Sequence, residues 1–201
     1  MYLPKDFAVE DRETLYGLIR KNSFGLLISQ VSGQPFATHL PFLLEDGMLV
    51  AHMARANPHW QGFADGDEVL CVFQGPHAYV SPSWYTVETA VPTWNYAAVH
   101  VYGAPEIVDD PKVAYTDQDK LVYSNEAGFE TPWRLGGRDQ DFVDGMIRAI
   151  VNFRIPITRI EGKFKLSQNR PLEDRERVAE QLKASTDPTA AACGMLMAAR
   201  R

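Results

Sequence analysis

At 201 residues, with 45% apolar and 23% charged side chains, the chain can bury a sizeable core and lies far from disordered compositions. No apolar run approaches the roughly 20 residues that span a bilayer, and the opening MYLPKDFAVEDRE lacks a basic start followed by an apolar stretch, so neither a membrane anchor nor a signal peptide is expected. The formal charge of −6 argues against a protein that coats nucleic acid nonspecifically.

In chain order, Asp11 caps a predicted helix over residues 12–22, where Leu15, Leu18 and Ile19 recur at helical spacing. Gly25 opens a strand, GLLISQV. Ser32-Gly33 turns it into a second strand, PFATHLPFLLE, and Glu45-Asp46-Gly47 turns that into a third, MLVAHMA. Three strands in such close succession predict an antiparallel meander. Asn57 as N-cap and Pro58 at the first helical position start a short helix through Trp60 and Phe63. Two strands follow, EVLCVFQG and the shorter HAYVSP.

Residues 81–95 hold two prolines and two tryptophans and read as a stiff loop. Tyr96 to Val108 is a long strand broken near Gly103 and Pro105. Residues 111–128 and 139–150 read as helices, the second with Phe142, Met146, Ile147 and Ile150 along one face. VNFRIPITRIEGKFKLSQ gives a final strand or hairpin, with Pro156 at an edge or bulge. Pro171 opens a terminal helix to residue 184. Residues 185–201 show no pattern and read as a mobile tail after a single domain, 1–184. Many strands in short meanders, with helices entering late instead of alternating, predict a mostly β protein: an antiparallel barrel with peripheral helices.

Chemistry-bearing residues cluster in three places. His52-Met53-Ala54-Arg55-Ala56-Asn57-Pro58 runs from a strand end into a helix start, where the Arg55 guanidinium and free N–H groups suit a phosphate. The same corner also reads as ordinary structure, with Arg55 paired to a surface carboxylate and His52 a satisfied core group. SPSWY (81–85) and VPTWNY (91–96) could flank a flat aromatic ring, or simply cap one end of a barrel. ITRIEGKFKLSQNR (157–170) combines Lys163, Lys165 and Arg170 with Ser167, Gln168 and Asn169, groups that suit the polar edge of a heterocycle or a solvated hairpin. Residues 154–177 carry seven basic groups against four acidic ones on an otherwise acidic chain, a cluster that suits a small phosphate-bearing ligand or simply forms a solvated face.

Other chemistries find less support. The histidines match no metal-ligand spacing, and there is no GxSxG, GxGxxG or GxxxxGK[ST]. Cys71, in VLCVF, reads as a core side chain. Two cysteines give no disulfide framework, so the cytoplasm is the expected compartment.

Taken together, MYLPKDF, HLPFLL (39–44), HMARANPHW (52–60), FQGPHAYVSPSWY (73–85), VPTWNYAAVHVYG (91–103) and ITRIEGKFKLSQNR (157–170) resemble the PaiB family of FMN-binding split-barrel proteins, described as negative transcriptional regulators. The resemblance implies a split β-barrel of the pyridoxamine-phosphate-oxidase-like type, a homodimer, and flavin mononucleotide (FMN) at the subunit interface. It places His52, Met53, Arg55 and Asn57 at the phosphate and ribityl chain, with Arg55 as charge partner and His39 beside them. Trp94, Asn95, Lys163 and Gln168 would come from the partner subunit or the barrel rim. Three roles are compatible with it: a redox or flavin-sensing protein, a DNA-binding repressor in which flavin is an effector or absent, and a haem-binding split barrel. The only candidate DNA-reading helix, with Arg170, Arg175 and Arg177, is interleaved with Glu173, Asp174 and Glu176.

Overall fold

The structure, a computed structural model, describes residues 1–63, 66–87 and 89–200. A 3₁₀ turn at Lys5–Phe7 leads into β1 (Ala8–Val9), α1 (Arg12–Lys21), β2 (Phe24–Val31), β3 (Gln34–Pro41), β4 (Leu43–Glu45) and β5 (Met48–Ala54). A 3₁₀ segment, Pro58–Phe63, precedes β6 (Val69–Val80), and another, Pro82–Trp84, precedes β7 (Thr93–Gly103). There follow β8 (Glu106–Ile107), α2 (Pro111–Glu126), α3 (Gln140–Arg148), β9 (Ile150–Pro156), β10 (Arg159–Lys165), α4 (Leu172–Lys183) and α5 (Pro188–Ala198). The expected mostly antiparallel β architecture with late helices is what forms.

The chain divides into two compact units, one of residues 1–21, 74–99 and 161–201, the other of residues 22–73 and 100–160. In the first, strand segments lie in the order β1-β10-β7-β6. Asp11 caps α1 as expected, accepting from Thr14 N at 2.9 Å. Leu15, Leu18 and Ile19 of α1 are buried, as are Phe164 and Leu166 and the Val178–Ala179–Leu182 face of α4. The tail expected to be mobile is instead a helix. Asp187 caps α5 through Thr189 N at 2.8 Å, and Ala190, Cys193 and Met197 are buried, with α5 packed on α4.

In the second unit β2 pairs antiparallel with β3 and β6, and a separate sheet runs β4-β5-β9-β8. The β2–β3 turn passes through Ser32 and Gly33, both at positive φ (53° and 74°), and the β4–β5 turn through Asp46 and Gly47 (48° and 77°), the backbone of tight hairpins. The expected three-strand meander is split at Phe42. Its ring is 2% exposed and meets Phe73 edge-on at 5.4 Å, so the chain turns in to bury it and changes sheet. One face of the second sheet is core: Leu49, Ala51 and Met53 of β5 beside Val151, Phe153 and Ile155 of β9, all at most 2% exposed. Burial of each large apolar side chain stabilises by about 1.5–3 kcal/mol. The other face carries His52, Val50, Asn152 and Arg154 toward α2. There Asp117 receives Arg154 through two hydrogen bonds, 2.8 and 2.7 Å, and Gln118 Nε2 donates to Asn152 Oδ1 at 2.6 Å.

Two further expectations are corrected. β6 is one strand of 12 residues, not two. β9 and β10 do not form a hairpin: β9 pairs with β5 and β8, and β10 with β1.

Candidate functional site

The strand-to-helix corner after β5 is held by a polar network that follows from its residue types. Asn57 N donates to Ala54 O (2.9 Å), and Asn57 Oδ1 accepts from His59 N (3.0 Å), which is the expected N-cap. Asn57 Nδ2 reaches Thr38 Oγ1 at 3.3 Å. His59, fully buried, shares a 2.7 Å hydrogen bond with Ser29 Oγ through Nε2 and another with Thr38 Oγ1 through Nδ1. Burial lowers its pKa, so the ring is neutral, with one nitrogen donating and one accepting. Nothing local in the sequence marks Ser29 and Thr38 as partners of His59. They lie on β2 and β3, and only the strand pairing brings them beside it.

Arg55 projects from this corner. Its backbone N–H donates to Ala149 O at 2.9 Å and its carbonyl accepts from Trp60 Nε1 at 3.0 Å. The guanidinium donates through Nε to Arg148 O (3.0 Å) and through Nη2 to Ile150 O (2.8 Å). Among the described residues it pairs with main-chain carbonyls, not with a carboxylate. Two of its five N–H groups are thereby spent and three remain in a fork fixed on one side. His52 Nδ1 is buried and has no hydrogen-bond partner among the described residues. Burial lowers its pKa and keeps the ring neutral. Met53 packs in the core, 2% exposed, so only its backbone is available to a ligand. His39 lies on the outer side of β3, its ring stacked on the exposed Phe24 at 6.0 Å and 21°.

The sites predicted in the other unit divide in two. Trp94 is 53% exposed and forms an aromatic surface with His77 (5.7 Å between ring centres) and Tyr79 (6.3 Å). Asn95, Lys163 and Gln168 spend their polar groups inside the protein. Asn95 Nδ2 donates to Ser167 Oγ at 2.9 Å; Lys163 Nζ donates to Tyr2 O at 3.0 Å; Gln168 closes its own loop through Leu166 N and Phe164 O. Lys165 is the better-placed cation here. Burial, then the neighbouring Lys163 and Arg170, hold its pKa below the usual lysine range, and Nζ donates to Thr93 Oγ1 (2.5 Å) and Trp94 O (2.6 Å).

The residues present fit FMN. A phosphate needs donors on a fixed cation, which Arg55 offers, and a polar flavin or ribityl group would satisfy the orphaned His52 Nδ1.

Comparison with known proteins agrees. Residues 1–159 match the family described as "Putative FMN-binding domain". The chain is 37% identical to "Protease synthase and sporulation protein PAI 2" of Bacillus subtilis over 98% of this chain and 96% of that one. Among solved structures, the FAD and heme binding protein of Mycobacterium smegmatis shares the fold at a TM-score of 0.65 and 16% identity, covering 84% of this chain and 78% of that one. The flavocytochrome Anf3 of Azotobacter vinelandii matches at a TM-score of 0.65 and 17% identity, covering 84% and 74%. No helix among the described residues is long and apolar enough to cross a membrane. The chain therefore belongs to the PaiB-type family of FMN-binding split-barrel proteins, and its cofactor is FMN.

Proposed function

We propose that the protein is a redox or flavin-sensing protein that works as a homodimer and holds the FMN phosphate at the Arg55 corner. The observation that carries this reading is the Arg55 fork, fixed by two carbonyls with three N–H groups unspent among the described residues, just past the end of the strand that bears the orphaned His52 Nδ1. His52 meets the ribityl chain or a polar flavin edge, while Asn57, tied to Thr38 and His59, keeps the corner in shape. The exposed Trp94 of a second copy supplies an aromatic surface for the ring system.

When bound, the flavin supplies one- or two-electron redox chemistry; the protein supplies its position and its electrostatic surroundings. A part in transcriptional control would then act through the state of the flavin. Direct reading of DNA by α4 has less support, because Arg175 donates to Arg200 O and Arg170, just before the helix, lies 4.6 Å from the Tyr85 ring centre. Visible absorbance of the purified protein, recorded after FMN addition and removal of the excess, tests the reading. Retained flavin bands at about one per chain support it, and protein that stays colourless refutes it. Sedimentation at micromolar concentration tests the dimer, which a monomer would refute.

A further inference from the structure

Within residues 22–73 and 100–160, a cavity of about 640 Å³ opens between β8–β9 and the helices α2 and α3, a volume typical of small-molecule sites. Its apolar wall includes Ile107, which is 38% exposed although it sits on a strand, and Ile147 and Ile150. Sequence reading missed it, because α2 and α3 come from residues with no ligand motif.

The charges of the lining are uneven. Lys112 and Arg148 reach it with no acidic partner among the described residues, and Arg55 adds a third cation. The two acids present are weaker competitors: Asp144 already accepts from Gln140 Nε2 at 2.7 Å, and Asp109 is exposed to solvent. Two uncommitted cations beside an apolar wall select one negative charge on an apolar body. A neutral molecule would leave them unpaired, and a polyanion would meet Asp109 and Asp144.

We propose that this cavity binds a small organic anion, a carboxylate or sulfonate on an apolar body, with its charge on Lys112 and Arg148 and its body against Ile107, Ile147 and Ile150. Its place beside the flavin, through the shared Arg55, rests on the reading of Arg55 given above; the ligand class does not.

The test is isothermal titration of naphthalene-2-sulfonate into FMN-free and FMN-loaded protein, with neutral 2-naphthalenemethanol as the comparison. The expected result is binding in both forms, at least tenfold tighter for the anion. Lys112→Glu weakens it at least tenfold while FMN affinity, read by quenching of flavin fluorescence, stays unchanged. Ile147→Trp, which fills the cavity, abolishes it. Equal binding of the neutral compound, or an unaltered affinity in Lys112→Glu, overturns the proposal. So does complete loss of probe binding at saturating FMN, which would make the cavity the flavin's own seat. Protein that takes up no FMN but binds the probe with these preferences sustains the cavity proposal and sinks the flavin reading.

Discussion

Replacing Arg55 by alanine separates the two things this side chain does. Toward the protein it makes hydrogen bonds to the carbonyls of Arg148 and Ile150, at 3.0 and 2.8 Å, from an exposed position. Water can replace a donor at each carbonyl, so the pair is worth about 1 kcal/mol, near the low end for hydrogen bonds. In a chain of this length that lowers Tm by about 2–4 °C. Toward FMN it contributes a charge-assisted phosphate contact of about 1.5–3 kcal/mol, equivalent to a Kd raised roughly ten- to 150-fold. The assay is quenching of FMN fluorescence on titration with protein, at a temperature well below the Tm of the variant. Arg55→Lys is the companion: it restores the charge but not the fork, and is expected between wild type and alanine. A variant that loses the few degrees of Tm but binds FMN as wild type does would show that Arg55 only braces its corner, and would refute the phosphate placement.

Three further outcomes follow from the packing. A Cβ on Gly103 would stand 2.1 Å from Pro156 O and 2.8 Å from Ile155 Cγ2, and β9 backbone cannot yield, so Gly103→Ala is expected to cost several kcal/mol, about 3 or more, in denaturant unfolding; an unchanged midpoint contradicts this contact. Burial lowers the pKa of both His52 and His59 from the usual 6.5, so the unfolded chain takes up protons before the folded one. Stability is therefore full above about pH 6.5 and falls as the pH drops below it, and His52→Phe should flatten that slope in urea melts taken from pH 7.5 to 5.5; a flat profile in the wild type refutes it. Cys71 and Cys193 are both fully buried, with their thiols pushed up by burial, Cys193 to about 11, so a disulfide reagent at pH 8 should label neither until the protein unfolds, and fast labelling of Cys193 would mean that α5 detaches.

Much of the fold was legible because local chemistry and tertiary structure agree. Asp11 caps the helix it precedes, and the Ser32-Gly33 and Asp46-Gly47 turns fall where the residues indicate. The failures have physical causes. Gln74-Gly75-Pro76 looks like a turn, yet β6 runs straight through it. Gly75 is required by a close approach, since a Cβ there would meet Leu18 Cδ1 at 2.9 Å and Ala97 O at 3.2 Å. Residues 188–198 are apolar on every side, so they carry no periodicity, and only packing against α4 shows why they are helical. At the site, the Arg55 corner was visible as an unusual string of residues. The bonds of Arg55 to Arg148 and Ile150, about 95 residues away, were not, and neither was the engagement of Asn95, Lys163 and Gln168 inside the protein.

The most direct test of the central claim is the crystal structure of the protein grown with FMN. The account predicts the phosphate oxygens on the unspent N–H groups of Arg55 and a flavin or ribityl atom within hydrogen-bond distance of His52 Nδ1. A phosphate seated elsewhere, with Arg55 still bound only to the carbonyls of Arg148 and Ile150, would contradict it.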